Sequence, residues 1–149
     1  MPTLATNKRA RFDYTIVEEI EAGIELLGFE VKAIRKGRAQ LLGSFIHERG
    51  GEVYLINAQI PPLQPKNTPE EYDDRRARRL LLRRGEIRSL AQKLKAERLT
   101  AVPLELYTQG RLIKVKLGIA RSKKQHDKRE TIKRREADRE VGRQMRSKG

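Results

Sequence analysis

Tyr14-Thr-Ile-Val-Glu-Glu-Ile-Glu-Ala-Gly-Ile-Glu-Leu26 decides the fold. Tyr14, Ile16, Ile20, Ala22, Ile24 and Leu26 fall on one phase, and Thr15, Glu19, Glu21 and Glu25 on the other. Period two is the signature of a strand with one face on a core. Thirteen residues is long for a strand, and Gly23 offers a place for a bend or bulge that lets one strand serve two sheets. A small curved barrel follows from such a strand.

Outward from this segment, Leu27, Val31 and Ile34 stand at i, i+4 and i+7, which predicts a short helix over 28–36 stopped by Gly37. Lys32, Arg35 and Lys36 lie mainly off its apolar side. Leu41 to Glu48 and Val53 to Ile60 are β-prone runs joined by Arg49-Gly50-Gly51-Glu52, and the Gly pair supplies the positive φ of a tight hairpin. Residues 61–69 hold four prolines and read as an exposed loop. Ile87, Leu90, Ala91 and Leu94 mark an amphipathic helix over about 86–99. Thr100 to Tyr107 and Leu112 to Ile119 form a second hairpin about Gln109-Gly110, with Ile113, Val115, Leu117 and Ile119 inward and Lys114 and Lys116 outward. The expected fold class is mainly β with flanking helices, a β-barrel of OB-fold type over residues 1–120, followed by a basic tail over 121–149.

The 149 residues carry 34 Lys/Arg against 20 Asp/Glu, a net +14, which describes a protein that seeks polyanions with steep salt dependence. Half of that excess lies in residues 121–149, where twelve cations face five acids. Ile132, Ala137, Val141 and Met145 are too few to fold the tail alone, so it is expected to be disordered when free. Glu130 with Arg134 and Glu140 with Arg143 nonetheless stand at helical spacing, a latent helix that an RNA surface would stabilise. No apolar run approaches a membrane span, and the first residues lack the plan of a signal peptide, so cytoplasm and no membrane partner are expected. The absence of cysteine removes disulfides and thiolate metal sites.

Catalytic chemistry finds little footing, and no cofactor is expected. The two histidines, His47 and His126, are far apart, and no Gly-rich phosphate loop is present. Glu70, Glu71, Asp73 and Asp74 read as a solvated loop neutralised by neighbouring arginines rather than as a metal site. Six arginines between Arg75 and Arg84 fit either phosphate contact or long side chains lying over the core. Lys114, Lys116, Lys123 and Lys124 fit a groove that tracks a backbone or a solubilising face. Glu21 reads as ordinary surface or as an acceptor for base-edge N–H groups that also repels phosphate. His126, among Lys124, Lys128 and Arg129, is a solvated ring or a stacking surface for an unpaired base.

Five segments, in this order, resemble the SsrA-binding protein family: Asn7-Lys8-Arg9-Ala10-Arg11; Glu21-Ala-Gly-Ile24; Gly28-Phe-Glu-Val-Lys32; Arg79-Leu-Leu-Leu82 with Glu86-Ile87; and Lys123-Lys-Gln-His-Asp-Lys-Arg129. The resemblance implies a non-enzymatic adaptor, expected as a monomer, that binds the tRNA-like domain of transfer-messenger RNA and takes it to stalled ribosomes for trans-translation. Small-subunit rRNA and an elongation factor carrying the aminoacylated RNA are the further partners it implies. It also implies that the tail occupies the empty decoding and mRNA channel. RNA contact is then expected on the barrel at Asn7, Lys8, Arg9, Glu21, Lys32, Arg35, Lys114, Lys116, Lys123 and Lys124. In the tail, the expected ribosome contacts are His126, Asp127, Lys128, Arg129, Lys133, Arg134 and Met145. Phe12, Arg83 and Ser122 depart from the family pattern, and Ser122 puts in question any close approach or positive φ needed before the lysine pair. A structural ribosomal protein with an rRNA-threading tail is the alternative reading.

Overall fold

The computed structural model describes residues 2–64, 66 and 68–123. Its elements are β1 (Thr3–Thr6), α1 (Ala10–Asp13), β2 (Tyr14–Ile24), α2 (Gly28–Arg35), β3 (Phe45–Arg49), β4 (Glu52–Ile56), β5 (Arg78–Leu81), α3 (Arg84–Lys95), β6 (Thr100–Gln109) and β7 (Leu112–Ser122). The strands form one antiparallel sheet in the order β1-β6-β7-β2-β5-β4-β3. The sheet curls until β3 comes up beside β6, leaving a seam lined by Ser44–Ile46 and Thr100–Val102. The result is the expected β-barrel with flanking helices, closed by side chains rather than by a ladder at the seam. From Lys124 onward, the tail expected over 121–149 lies outside the described residues.

Both hairpins form where glycine was expected to turn the chain. Gly50 and Gly51 have φ of 62° and 81°, and Gly110 has φ of 62°, values that cost a side-chain-bearing residue energy. The β3 and β4 strands are shorter than the β-prone runs around them. Inside the barrel, Ile113, Val115, Leu117 and Ile119 meet Ala22, Ile24, Leu106 and the α2 residues Ala33 and Ile34.

The long strand departs from its expected phase. Ile16 pairs with Ala120 and Glu18 with Ile119, so Val17 is an extra residue, a bulge left half exposed at 50%. Each inserted residue flips the alternation. Tyr14 and Ile16 therefore face the outside of the sheet, where they join Ala10, Val102, Leu104 and Ala120 in a second small core beneath α1. Only Ile20, Ala22 and Ile24 face the barrel interior. A matching register shift between Pro103 and Glu105 turns Leu104 to the same outer core. The bulge lies at Val17, not at Gly23. Gly23 instead marks where β2, already paired with β7, also pairs with β5. A Cβ there would lie 3.2 Å from Leu81 Cβ, so the missing side chain admits the neighbouring strand.

One buried ionic centre ties the proline-rich loop to the barrel. Glu30 and Arg78 are fully buried. Arg78 donates to Glu30 Oε2 through Nη2 at 2.6 Å and Nε at 2.9 Å, and its Nη1 donates to the Ala58 carbonyl at 2.6 Å. Arg76 donates through Nε to Glu30 Oε2 at 3.1 Å and also reaches Oε1, which accepts the Leu27 N–H at 2.8 Å. The Tyr72 hydroxyl lies 2.8 Å from Glu30 Oε2 and accepts from Arg78 Nη2 at 2.9 Å. Burial alone would raise the Glu30 pKa. The hydrogen bonds from Arg76, the Leu27 amide and Arg78 outweigh it and hold the carboxyl below its usual value. With every oxygen satisfied, the centre is held together. Removing one partner strands a buried charge at a cost of about 3–5 kcal/mol.

Candidate nucleic-acid interface

Residues opposite one another in a ladder share a face, so the register of β2, β7 and β6 builds the outer surface directly. Glu19 stands opposite Gly118, Glu21 opposite Lys116 and Gly23 opposite Lys114. Lys116 and Lys114 in turn stand opposite Glu105 and Tyr107 on β6. At one end α1 covers this face, and Gly118 leaves room beneath it: a Cβ there would meet Ile16 Cδ1 at 3.0 Å and Leu104 Cδ1 at 3.1 Å. At the other end the polar groups stand uncovered. Arg11 of α1 joins the two ends, donating to Glu19 at 2.7 Å.

The polar end is mixed in charge rather than uniformly basic. Lys116 Nζ lies 3.4 Å from Glu105 and 5.7 Å from the centre of the Tyr107 ring. Glu21 is exposed and makes no ion pair among the described residues. Beside it, β5 pairs with only the last two residues of β2, and the uncovered edge opens a groove of about 770 Å³ running to the start of α3. Glu18, Glu19, Glu21, Glu52 and Glu86 line the groove against Arg79, Arg83 and Lys114. An acid-rich wall in a +14 chain repels phosphate and accepts N–H donors, which favours base edges over backbone at that wall.

The other expected barrel contacts divide. Asn7 is anchored to the scaffold: its Nδ2 donates to the Pro103 carbonyl at 2.9 Å and its N–H to the Leu104 carbonyl at 2.8 Å. Those bonds hold up the turn from which Lys8 and Arg9 project, both exposed. Arg9 lies 5.8 Å from the Phe12 ring centre and 3.5 Å from Asp13, and Phe12 is 65% exposed. An exposed ring beside a guanidinium is a stacking platform. Lys123 joins the same end of the face, its N–H bonding the Asp13 carbonyl at 3.2 Å. Ser122 pairs with Tyr14 in extended strand and is not among the positive-φ residues. Lys32 and Arg35 stand apart, on α2, whose Ala33 and Ile34 pack into the interior core rather than beneath the outer face. Arg35 is moreover engaged in donating to the Arg111 carbonyl at 2.8 Å. Lys124, His126, Asp127, Lys128, Arg129, Lys133, Arg134 and Met145 lie outside the described residues.

Three of the six clustered arginines are engaged in ion pairs within the fold. Arg76 and Arg78 serve Glu30, and Arg79 lies 3.2 Å from Glu25 and 3.7 Å from Glu52. Asp73 and Asp74 are used within the loop, accepting from the Arg75 N–H at 2.9 Å and from Gln59 Nε2 at 3.2 Å. Sequence reasoning missed Tyr107. Its signal was a tyrosine on the outward phase of a strand, across from a lysine.

A curled antiparallel sheet that turns cations, aromatic rings and carboxylates outward on one face has the architecture of small barrels that bind nucleic acid. The model of the family described as SmpB protein matches residues 4–147. An SsrA-binding protein of Synechocystis sp. is 47% identical over 142 residues, 95% of this chain and 92% of the relative. One from Gloeobacter violaceus is 48% identical over 143 residues, 96% and 93% of the two chains. A chain from a structure described as "tmRNA-SmpB: a journey to the center of the bacterial ribosome" superposes with a TM-score of 0.68 at 46% identity, covering 86% of this chain and 89% of the other. The chain belongs to the SmpB protein family.

Proposed function

We propose that this chain is the RNA-binding adaptor of trans-translation: it binds the tRNA-like domain of transfer-messenger RNA and delivers it to stalled ribosomes. The observation that carries this reading is identity of 46–48% to SsrA-binding proteins over nearly the whole length of both chains. Likeness to a chain in a tmRNA–SmpB ribosome structure supports it further. The outer face supplies a physical route. Lys8, Arg9, Lys114, Lys116, Lys123 and Lys124 attract backbone phosphate, and Glu21 accepts from base edges. Asn7 sets the turn that presents Lys8 and Arg9.

The same reading assigns the tail, from residue 125, to the decoding and mRNA channel, with His126 to Arg129, Lys133, Arg134 and Met145 as its contacts; residues 121 and 122 belong to β7 and Lys123 bonds back to Asp13. It makes the protein a cytoplasmic monomer without catalytic activity, handed to the ribosome with an elongation factor. No helix among the described residues is long and apolar enough to cross a membrane.

Binding of the full chain, and of a chain truncated after Lys124, to the tRNA-like fragment, a tRNA and a hairpin of equal charge across a salt series tests this. Retained preference for the fragment at raised salt, with most of it surviving truncation, is the expected result. Three RNAs that bind alike and weaken together would instead make the protein a generic rRNA-binding one.

A further inference from the structure

Tyr107 is 2% exposed, yet its hydroxyl closes no hydrogen bond of ordinary geometry, although the Glu21 carboxylate approaches it. A buried, unmatched phenol is unusual enough to call for a use. It lies on the outer face, on the rung that joins Lys114 to Gly23, one step along the ladder from the rung that joins Glu105, Lys116 and Glu21. Lys116 stands over its ring. Burial first, then the Glu21 carboxylate through a hydrogen-bonding approach and its charge, then the Glu105 charge, push the phenol up to about 12, so it remains a donor throughout the physiological range. Of those two carboxylates, Glu105 already has Lys116 at 3.4 Å, whereas Glu21 has no ion pair among the described residues.

We propose that Tyr107 is a positioning residue for Glu21: its hydroxyl approaches the Glu21 carboxylate in the free protein and tightens to a full hydrogen bond when RNA engages the outer face, fixing that carboxylate for base-edge N–H donors. The proposal rests on the RNA-binding reading above and deepens it. A flexible exposed glutamate loses rotamer freedom on gripping a base, and a rigid phenol behind it reduces that loss. The free protein keeps the hydroxyl close to Glu21 without a well-formed bond, so most of the bond's energy is gained in the complex. Removing the hydroxyl therefore weakens binding more than folding.

A double-mutant cycle reads this out. Tyr107→Phe is expected to lower affinity for the tRNA-like fragment about 10- to 20-fold, the lower end of the range of a hydrogen bond to a charged group. The hairpin of equal charge keeps its affinity, the salt slope does not change, and the thermal midpoint changes little. In a Glu21→Gln background the same change is expected to have little further effect. If the wild type prefers the fragment but Tyr107→Phe has the same effect in both backgrounds, or no effect in either, Tyr107 does not act through Glu21 and the proposal falls alone. If the wild type binds fragment and hairpin alike, the RNA-binding reading falls and takes the proposal with it.

Discussion

Two regions of this molecule use nearly the same parts to opposite ends. Around Glu30, a carboxylate, Tyr72, Arg76 and Arg78 are closed against the proline-rich loop, and every oxygen of the carboxylate has a donor. Around Glu21, a carboxylate, Tyr107, Lys114 and Lys116 lie on the outer sheet face, where Glu21 has no ion pair and the tyrosine hydroxyl, approached by Glu21, closes no hydrogen bond of ordinary geometry in the described structure. Satisfaction separates structure from recognition. A saturated polar cluster has nothing left to offer a ligand, and an unsaturated one at the surface has donors and acceptors in hand. The cations differ in kind as well: arginine forks grip a buried carboxylate in two directions, whereas lysines present point charges to a backbone.

Breaking the saturated region has the largest expected effect. Glu30→Gln leaves Arg78 buried without its counter-charge and is expected to lower stability by about 3–5 kcal/mol, measured by urea denaturation. RNA preference of the fraction that remains folded is expected to be unchanged. At the other region the pattern reverses. Glu21→Gln is expected to lower preference for the tRNA-like fragment about tenfold in calorimetric titration, with stability within about 0.5 kcal/mol of the parent, because the side chain is exposed and unpaired. Smaller still are the lysine effects. Lys114→Gln is expected to weaken all RNAs alike and to reduce the salt slope by about 0.7–0.9. Lys116→Gln reduces it less, because Glu105 already neutralises part of that charge.

Titration sharpens the comparison with the smallest signals. The folded state lowers the Glu30 pKa, so it holds that proton less tightly than the unfolded chain. The resulting stability is present above the ordinary carboxylate range and is lost as pH falls through the folded value. Tyr72 and Tyr107 are raised to about 12, so their contributions are full below about pH 10 and are lost as pH climbs from there toward 12. Phenolate absorbance is expected to show Tyr72 and Tyr107 ionising late, and the Tyr72→Phe variant to lose part of that late rise.

Much of the fold was legible because it rests on local rules. Gly50-Gly51 and Gln109-Gly110 announce their hairpins since few other residues accept those φ values, and β7 reads cleanly because its inward residues alternate without interruption. The phase of β2 was not legible, because nothing in Ile16-Val17-Glu18 says that Val17 is extra; the bulge is imposed by the ladder with β7 and by the small core under α1. The Glu30 centre was hidden for another reason. Its arginines lie 46 and 48 residues away, and a Glu inside an amphipathic helix gives no sign that it is buried. At the site, Glu21, Lys114 and Lys116 were readable from outward phase. That Asn7 anchors a turn, and that Tyr107 lies behind Glu21, needed the register of β6.

The most direct test of the distinction between the two regions is chemical-shift perturbation of labelled protein on adding the tRNA-like fragment, followed at the side chains of Glu21, Tyr107, Lys114 and Lys116 and at those of Glu30, Tyr72 and Arg78. The expected result is large shifts in the first set and almost none in the second. Shifts concentrated at Glu30 and Tyr72, with Glu21 and Tyr107 silent, would contradict the account.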